Sequence, residues 1–289
     1  MTQTTTFKAE STTRWYTRES MEIVEKVPLK TPVKIKDDEG NVTGTRTTTN
    51  PTIRHARESG YLPSVTSIIK SLINPEGIVK YVEQDAITVA ANYSYSGDST
   101  PEDIEQRYVP MILAKRKEYS EATQNMGKLL HKDKELYFMQ GREPETIQGK
   151  NIILGYEEFM RKHGAQPDKI KCEQPFGSAL SGYAGTPDDY MSDVDFIVDL
   201  KTKEKHKTWE GIKTYKQLHL SWKLQLGAYR IIAPNARLWQ AVASQETGET
   251  RFIELKDPDL WAQAFQGIFT TWCAEKEYDP RNWVGKEAA

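Results

Sequence analysis

The 289-residue chain holds only two cysteines, Cys172 and Cys273. Two thiols cannot build a disulfide framework or a four-ligand zinc ribbon. A reducing, cytosolic setting is the default that such cysteine usage implies. Long apolar runs are also missing: none approaches the stretch of about 20 residues needed to span a bilayer, so no membrane partner is expected. The first eleven residues, MTQTTTFKAES, are threonine-rich and contain no apolar signal core, which argues against secretion. No excess of one charge appears either. The net charge of −2 does not advertise a nucleic-acid binder. What remains, 37% hydrophobic and 28% charged residues, is the composition of a globular protein with enough chain to bury a core.

Against this ordinary background one stretch stands out. Gly185-Thr186-Pro187-Asp188 is followed by Phe196-Ile197-Val198-Asp199-Leu200-Lys201-Thr202. Two acids and a lysine thus fall around a short turn between apolar, strand-like runs. Side chains alternate along a strand, so Asp199 and Lys201 share one face and Val198 and Leu200 the other. Hard carboxylate oxygens suit Mg2+ or Mn2+, which keep waters and bridge to phosphate. Such ions neutralise developing charge and acidify a bound water, and a nearby lysine can hold that water or stabilise the transition state. The same residues also have a plain reading: Asp-x-Lys commonly marks where a strand enters solvent.

The company of the motif decides between these readings. Gly127-Lys128-Leu129-Leu130-His131 precedes it, and Gln225-Leu226-Gly227-Ala228-Tyr229 follows it. In this order the blocks resemble the PD-(D/E)XK nuclease superfamily, in its RecB-like exonuclease branch: G-x-x-x-H, Gly-x-x-Asp at 185–188, Asp-x-Lys at 199–201 and Q-x-x-x-Y. Pro63-Ser64-Val65-Thr66-Ser67-Ile68-Ile69 looks like the entry segment of mitochondrial genome-maintenance exonucleases and their tailed-phage relatives. The resemblance covers roughly residues 50–275. Asp199 stands where many members carry Glu. The four-cysteine iron–sulfur cluster of some relatives is excluded by the cysteine count.

The resemblance implies an α/β fold, a mixed sheet flanked by helices, with β and helical additions at the N-terminus. It implies Asp188, Asp199 and Lys201 as catalytic residues and His131, Asp188 and Asp199 as ligands for Mg2+ or Mn2+. Glu173 matches an acid that often approaches the metal cluster, though an edge-strand carboxylate is an equal alternative. Gln225, in a stripe with Leu218, Trp222 and Tyr229, needs a partner for its amide; the site or the DNA backbone could supply one, whereas Tyr229 reads more readily as packing. The expected partner is DNA, as single strand or duplex end. The expected place is the cytoplasm, a host's if the chain is phage-encoded.

Local charge points the same way. Residues 201–216 hold six lysines against two glutamates. Lys203, Lys205 and Lys207 adjoin the proposed site and are expected to contact phosphates. The cluster Lys115-Arg116-Lys117 is equally readable as a solvated helix face. Tyr93 and Tyr95 lie in a polar loop and could stack on bases, or be ordinary loop tyrosines.

The chain is expected to divide into an N-terminal accessory segment, 1–62, a helical region, 63–146, a nuclease core, 147–280, and a tail, 281–289. Asp38-Glu39-Gly40-Asn41 reads as a hairpin turn. Ser64 reads as a helix cap ahead of Val65, Ile68, Ile69 and Leu72. Helices are expected at 76–92 and 101–120, and a further one through Gly127 and His131 to about Gly141; by resemblance, 76–120 would form an arch over the site. From 147 the order is expected to be α-β-β-β-α-β: helix 147–164, strands 171–176, 182–191 and 194–201, helix 215–232, strands 236–244 and 250–255, and a closing helix 257–277. Two other readings stay open: a structure-specific endonuclease on the same core, and a non-catalytic nucleic-acid-binding protein on a decayed nuclease fold. Intact Asp188, Asp199 and Lys201 speak against decay.

Overall fold

The computed structural model describes residues 13–37, 39–73, 106 and 109–283, and for 206 and 207 the backbone alone. The chain begins with β1 (Trp15–Tyr16), then the hairpin of β2 (Val27–Lys36) and β3 (Val42–Thr49). Its tip is the expected turn. Asp37 Oδ1 accepts from Glu39 N and Asn41 N, and Gly40 takes φ 88°. Apart from Val27 the hairpin is open to solvent. Next come α1 (Ile53–Ser59), β4 (Leu62–Pro63), which pairs with β1, and α2 (Val65–Leu72). Ser64 caps α2 as expected, its Oγ accepting from Ser67 N at 3.0 Å, and buries Val65, Ile68 and Ile69 behind it.

The next element is α3 (Val109–Gln140), a single helix of 32 residues. Two helices were expected within 101–141, and the structure joins their described parts into one. No Pro or Gly lies between Val109 and Gly127 except Pro110, which sits in the first turn, where its missing N–H costs nothing. Gly141, at φ 66°, ends the helix. The expected helix 76–92 lies outside the described residues. After α3 come α4 (Ile147–His163), capped by Thr146 and ended by Gly164 at φ 73°, then β5 (Ile170–Cys172), β6 (Phe176–Ser178), β7 (Tyr183–Gly185), β8 (Asp189–Met191) and β9 (Phe196–Lys203). The chain closes with α5 (His206–Glu210), α6 (Leu220–Ile232), β10 (Arg237–Ser244), β11 (Thr250–Glu254) and α7 (Pro258–Glu275).

Five strands form the central mixed sheet in the order β11-β10-β9-β8-β5; only β9 and β10 run parallel. The α-β-β-β-α-β order is present, with three differences. The expected strand 182–191 is two strands. Pro187 has no N–H to continue a ladder, so β7 pairs with β6 in a separate hairpin while β8 joins the sheet. The expected strand 171–176 ends at Cys172, because Glu173 takes the left-handed φ of 49°. The expected helix 215–232 starts at Leu220: Leu218 and His219 are extended, which separates a 3-10 turn at Tyr215–Gln217 from α6.

Alternation along β9 and β10 builds two cores. Val198, Leu200, Trp239, Ala241 and Ala243 meet Leu130 of α3 and Ile152, Tyr156 and Phe159 of α4. On the other face Ile197 and Leu238 meet Leu224 and Tyr229 of α6 and Phe265, Phe269 and Trp272 of α7. Each fully buried side chain of this size contributes about 1.5–3 kcal/mol. Gly227 lets α6 and α7 touch: a Cβ there would lie 2.4 Å from the Trp261 backbone. Met126, Leu130 and Phe138 anchor the C-terminal half of α3 in the first core, and that sets where His131 points. Among the described residues no helix is long and apolar enough to cross a membrane.

Candidate active site

Thr186-Pro187-Asp188 crosses from the β6–β7 hairpin to the sheet. Gly185 sits so close under Tyr229 that a Cβ would lie 2.8 Å from its ring. Two donors hold the Asp188 carbonyl: Glu173 N at 3.1 Å and Lys134 Nζ at 3.3 Å. The β8–β9 ladder ends at the pair Asp189 and Val198. Beyond it the Asp188 carboxylate takes over as acceptor, with Oδ2 2.5 Å from Leu200 N. Its other oxygen, Oδ1, is 3.2 Å from His131 Nδ1.

His131 reaches this point because Gly127, one turn earlier, lets α3 press on β9: a Cβ on Gly127 would sit 3.0 Å from Thr202 Oγ1. Glu173 completes a triple. Ligand atoms of His131, Glu173 and Asp188 all lie within 4.8 Å of one another. His131 and Glu173 border a cleft of about 550 Å3 between α3 and the end of β9, lined also by Lys128, Lys132, Thr202 and Gln245.

Asp199 sits apart from this triple, buried on the adjoining face with all its oxygens engaged. Oδ1 accepts from Gln225 Nε2 at 2.8 Å; Oδ2 accepts from Gln240 Nε2 at 3.0 Å and is 2.5 Å from Lys201 Nζ. Lys201 and Asp199 share a face, as alternation requires. The expected partner of Gln225 is therefore found: it is Asp199. Tyr229 is buried as expected, and its hydroxyl accepts a longer contact from Gln225 at 3.3 Å.

Charge states follow from these contacts. Burial opposes ionisation of Asp188, yet the neighbouring His131, Lys201 and Lys134 outweigh it and hold the carboxyl well below the usual range. Burial likewise disfavours the His131 cation, and Asp188 more than compensates, so the imidazole is raised. Desolvation and the Asp188 charge push Glu173 up to about 8. Burial raises Asp199 despite the opposing pull of Lys201. For Lys201 the attraction of Asp199 and Asp188 overcomes burial and raises it.

The residues expected to meet DNA are scattered. Lys203 Nζ lies 4.7 Å over the Trp222 ring, and Lys205 is exposed. Tyr93, Tyr95 and the side chain of Lys207 lie outside the described residues. Lys115 and Lys117 pair within their own helix with Glu118 and Glu121, at 3.6 and 3.9 Å.

Three features escaped the sequence reading. Lys134, fully buried, donates to Asp189 Oδ1 at 2.5 Å, and Cys172 Sγ donates to the same oxygen at 3.1 Å. Lys134 lies three residues after His131, so helical spacing already put both on one face. Gln240 interrupts an apolar strand, a signal that its amide serves a buried acid. Gln245 joins Thr202 at 2.8 Å to the Thr123 carbonyl at 3.2 Å, and nothing in the sequence marks it.

No family model and no curated protein matches the chain. Among solved structures it is similar to an alkaline exonuclease, LHK-Exo, from Laribacter hongkongensis, at 9% identity and a TM-score of 0.42, over 77% of this chain and 90% of that one. It is similar to a protein from Eubacterium rectale at 18% identity and a TM-score of 0.34, over 66% and 71% of the two chains. The structure of SSO0001 overlaps at 11% identity and a TM-score of 0.29, over 67% and 86%. Overlaps this loose leave the reading of the site to its own geometry.

Proposed function

We propose that this chain is a divalent-metal-dependent DNA exonuclease, cleaving phosphodiesters in single strands or at duplex ends. The observation that carries the reading is the convergence of His131, Glu173 and Asp188 within 4.8 Å, beside the Asp199–Lys201 pair. The donor set fits Mg2+ or Mn2+: hard carboxylate oxygens with one imidazole, at the edge of an open cleft. Asp188, His131 and Glu173 would hold the ion, with the Asp199–Lys201 pair beside them. When bound, the ion would neutralise charge on the phosphate and acidify a water.

The chain's own groups supply the rest. Lys201 carries a protonated amine that can orient the attacking water or donate to the scissile phosphate. Gln225 and Gln240 fix the Asp199 carboxylate, so it meets substrate without reorganising. The Leu200 amide and the twice-held Asp188 carbonyl fix the other acid. By the resemblance given above, the activity belongs to phage or prophage recombination, replication or repair.

End-labelled linear and covalently closed single strands, incubated with Mg2+, Mn2+ or EDTA, test the reading. Linear DNA should be degraded only with metal, and closed circles should survive. Equal rates on circles and linear strands would replace exonuclease with endonuclease. No cleavage and no calorimetric Mn2+ binding would favour a non-catalytic binding protein.

A further inference from the structure

The face of the sheet that carries Asp199, Lys201 and Lys203 continues sideways. Its register places Val242 beside Lys201 and, one strand further, Arg251 beside Val242. Two strand spacings take the surface about 10 Å from β9 to the sheet edge at β11. Over this ground lies a small apolar platform of Trp209, Ile212, Leu218, Val242 and Ile253, with the half-buried rings of Tyr215 and Trp222 packed on it. Arg251 pins the platform from below: its guanidinium is 3.9 Å from the Trp209 ring and donates to the carbonyls of Trp209, Glu210 and Ile212.

The half-buried rings Trp222 and Tyr215 are each attended by a lysine, as is the nearby Trp261. Lys203 Nζ is 4.7 Å over Trp222; Lys223 Nζ is 5.9 Å from Tyr215 and 5.3 Å from Trp261. Beyond Tyr215 the surface opens into a second cleft of about 550 Å3, bordered by Lys213, Lys216 and Lys256. Its one acid, Glu254, is engaged by Arg237 at 2.8 Å and more loosely by Lys256 at 4.0 Å. Among the described residues Lys213 and Lys216 make no ion pair, so their charge is uncompensated. Folding alone does not need this arrangement. Aromatic faces with lysines between them are what a flexible, unstacked polyanion needs: bases stack on the rings and phosphates meet the amines.

We propose that this groove, from Lys203 and Trp222 past Tyr215 to Lys213, Lys216 and Lys256, is a track for single-stranded nucleic acid. It leads away from Asp199 and Lys201. This deepens the nuclease reading, on which the direction of the track rests, and selects a single strand over a duplex at this surface. A duplex hides its base faces and would use the lysines alone.

Fluorescence anisotropy of a labelled oligothymidylate, in EDTA over a salt series, tests the track without cleavage. The variant Lys213→Glu/Lys216→Glu should bind at least tenfold more weakly. Its log–log salt slope should be shallower by roughly 1.4, two phosphate contacts at about 0.7 each. Tyr215→Ala should weaken binding severalfold with the slope unchanged, because stacking releases no counterions. Lys150→Glu, an exposed lysine on α4 across the sheet, should stay within twofold of the parent. Unfolding curves of the lysine variants should superimpose on the parent's, since the altered lysines are exposed. A double variant within twofold of the parent, or a hairpin duplex competing as well as the single strand, would overturn the track. A chain that binds through the groove yet cuts nothing with metal would remove the nuclease reading and leave the groove standing. A chain that cuts linear DNA while the double variant binds normally would do the reverse.

Discussion

One turn of α3 carries two cations onto two consecutive aspartates, and the two pairs differ in nearly everything else. His131 meets Asp188 at 3.2 Å with side-chain exposures of 27% and 11%, at the lip of a cleft. Lys134 meets Asp189 at 2.5 Å with exposures of 1% and 0%, inside the core. In the first pair the cation can leave or share its proton, and Glu173 lies within 4.8 Å of both partners. In the second, the cation is also bound to the Asp188 carbonyl and lies 5.4 Å from the Tyr156 ring, with nowhere to go. Two consecutive aspartates thus take different parts, one at the candidate site and the next in its foundation. The distinction rests on access to solvent.

The largest expected effects separate the two roles. Asp188→Ala and Asp199→Ala should each lower the cleavage rate by about 1000-fold or more, the scale of losing electrostatic stabilisation at the reacting group. Both should keep the parental fold. The Lys201 side chain left behind by Asp199→Ala is already 28% exposed and can turn to water. Rates on linear DNA beside thermal unfolding curves check this; activity within tenfold of the parent would remove either residue from the site. Asp189→Ala should do the opposite and destabilise the chain by about 3–5 kcal/mol, the cost of leaving a buried charge without its partner. The double change Lys134→Met/Asp189→Leu should recover much of that loss in a denaturant titration. If Asp189→Ala is neutral, Lys134 is not held as the geometry indicates.

How much of this could be read from the chain follows the same divide. Asp188, Asp199 and Lys201 stand in a spaced pattern, and alternation alone put the last two on one face. His131 and Gln225 came from motif order, and the structure sets His131 beside Asp188 and Gln225 beside Asp199. Glu173 was placed on a strand, but its left-handed backbone puts it one residue past the strand, where it can turn toward His131. Lys134 and Gln240 were passed over because a lysine in a helix and a glutamine in a strand ordinarily face solvent. Only packing from a second element shows otherwise. The break at Pro187 was legible in principle, since a residue without an N–H cannot sit inside a ladder. The single long α3 was not, because a polar stretch such as 115–125 has no apolar stripe to mark it as continuous helix.

A smaller effect sharpens the His131–Asp188 side of the comparison. Asp188 raises the His131 imidazole above its ordinary value of 6.5. The stability this pair contributes is therefore complete below 6.5 and is lost as pH rises through the raised value. Metal binding runs the other way, because a proton on His131 must leave before the nitrogen can ligate. Apparent Mn2+ affinity should climb with pH, by up to about tenfold per unit for each displaced proton, until both His131 and Glu173, which is pushed up to about 8, have lost theirs. His131→Ala should bind Mn2+ more weakly, flatten the climb, and recover part of its rate in excess metal. Calorimetric titration at several pH values reads all three. A variant with normal metal dependence would return His131 to a packing role.

The smallest expected effect concerns Asp199, whose carboxylate is held by three side chains. Gln225, Gln240 and Lys201 all hold the same carboxylate. Removing one donor leaves two, so Gln225→Ala should slow cleavage by only about 10-fold, the low end for groups that orient a ligand. It should act on kcat more than on KM, since the amide touches Asp199 and not the cleft where the strand would bind. Tyr229→Phe, which removes only a weak acceptor at 3.3 Å from the amide, should change the rate less than Gln225→Ala does. Steady-state rates on a linear single strand, for Gln225→Ala, Gln240→Ala and their double variant, separate shared from independent support. If the two amides brace one carboxylate, the double variant should lose more than the product of the single losses, because Lys201 alone cannot fix the rotation of Asp199. Strict multiplication would mean that each amide acts on its own.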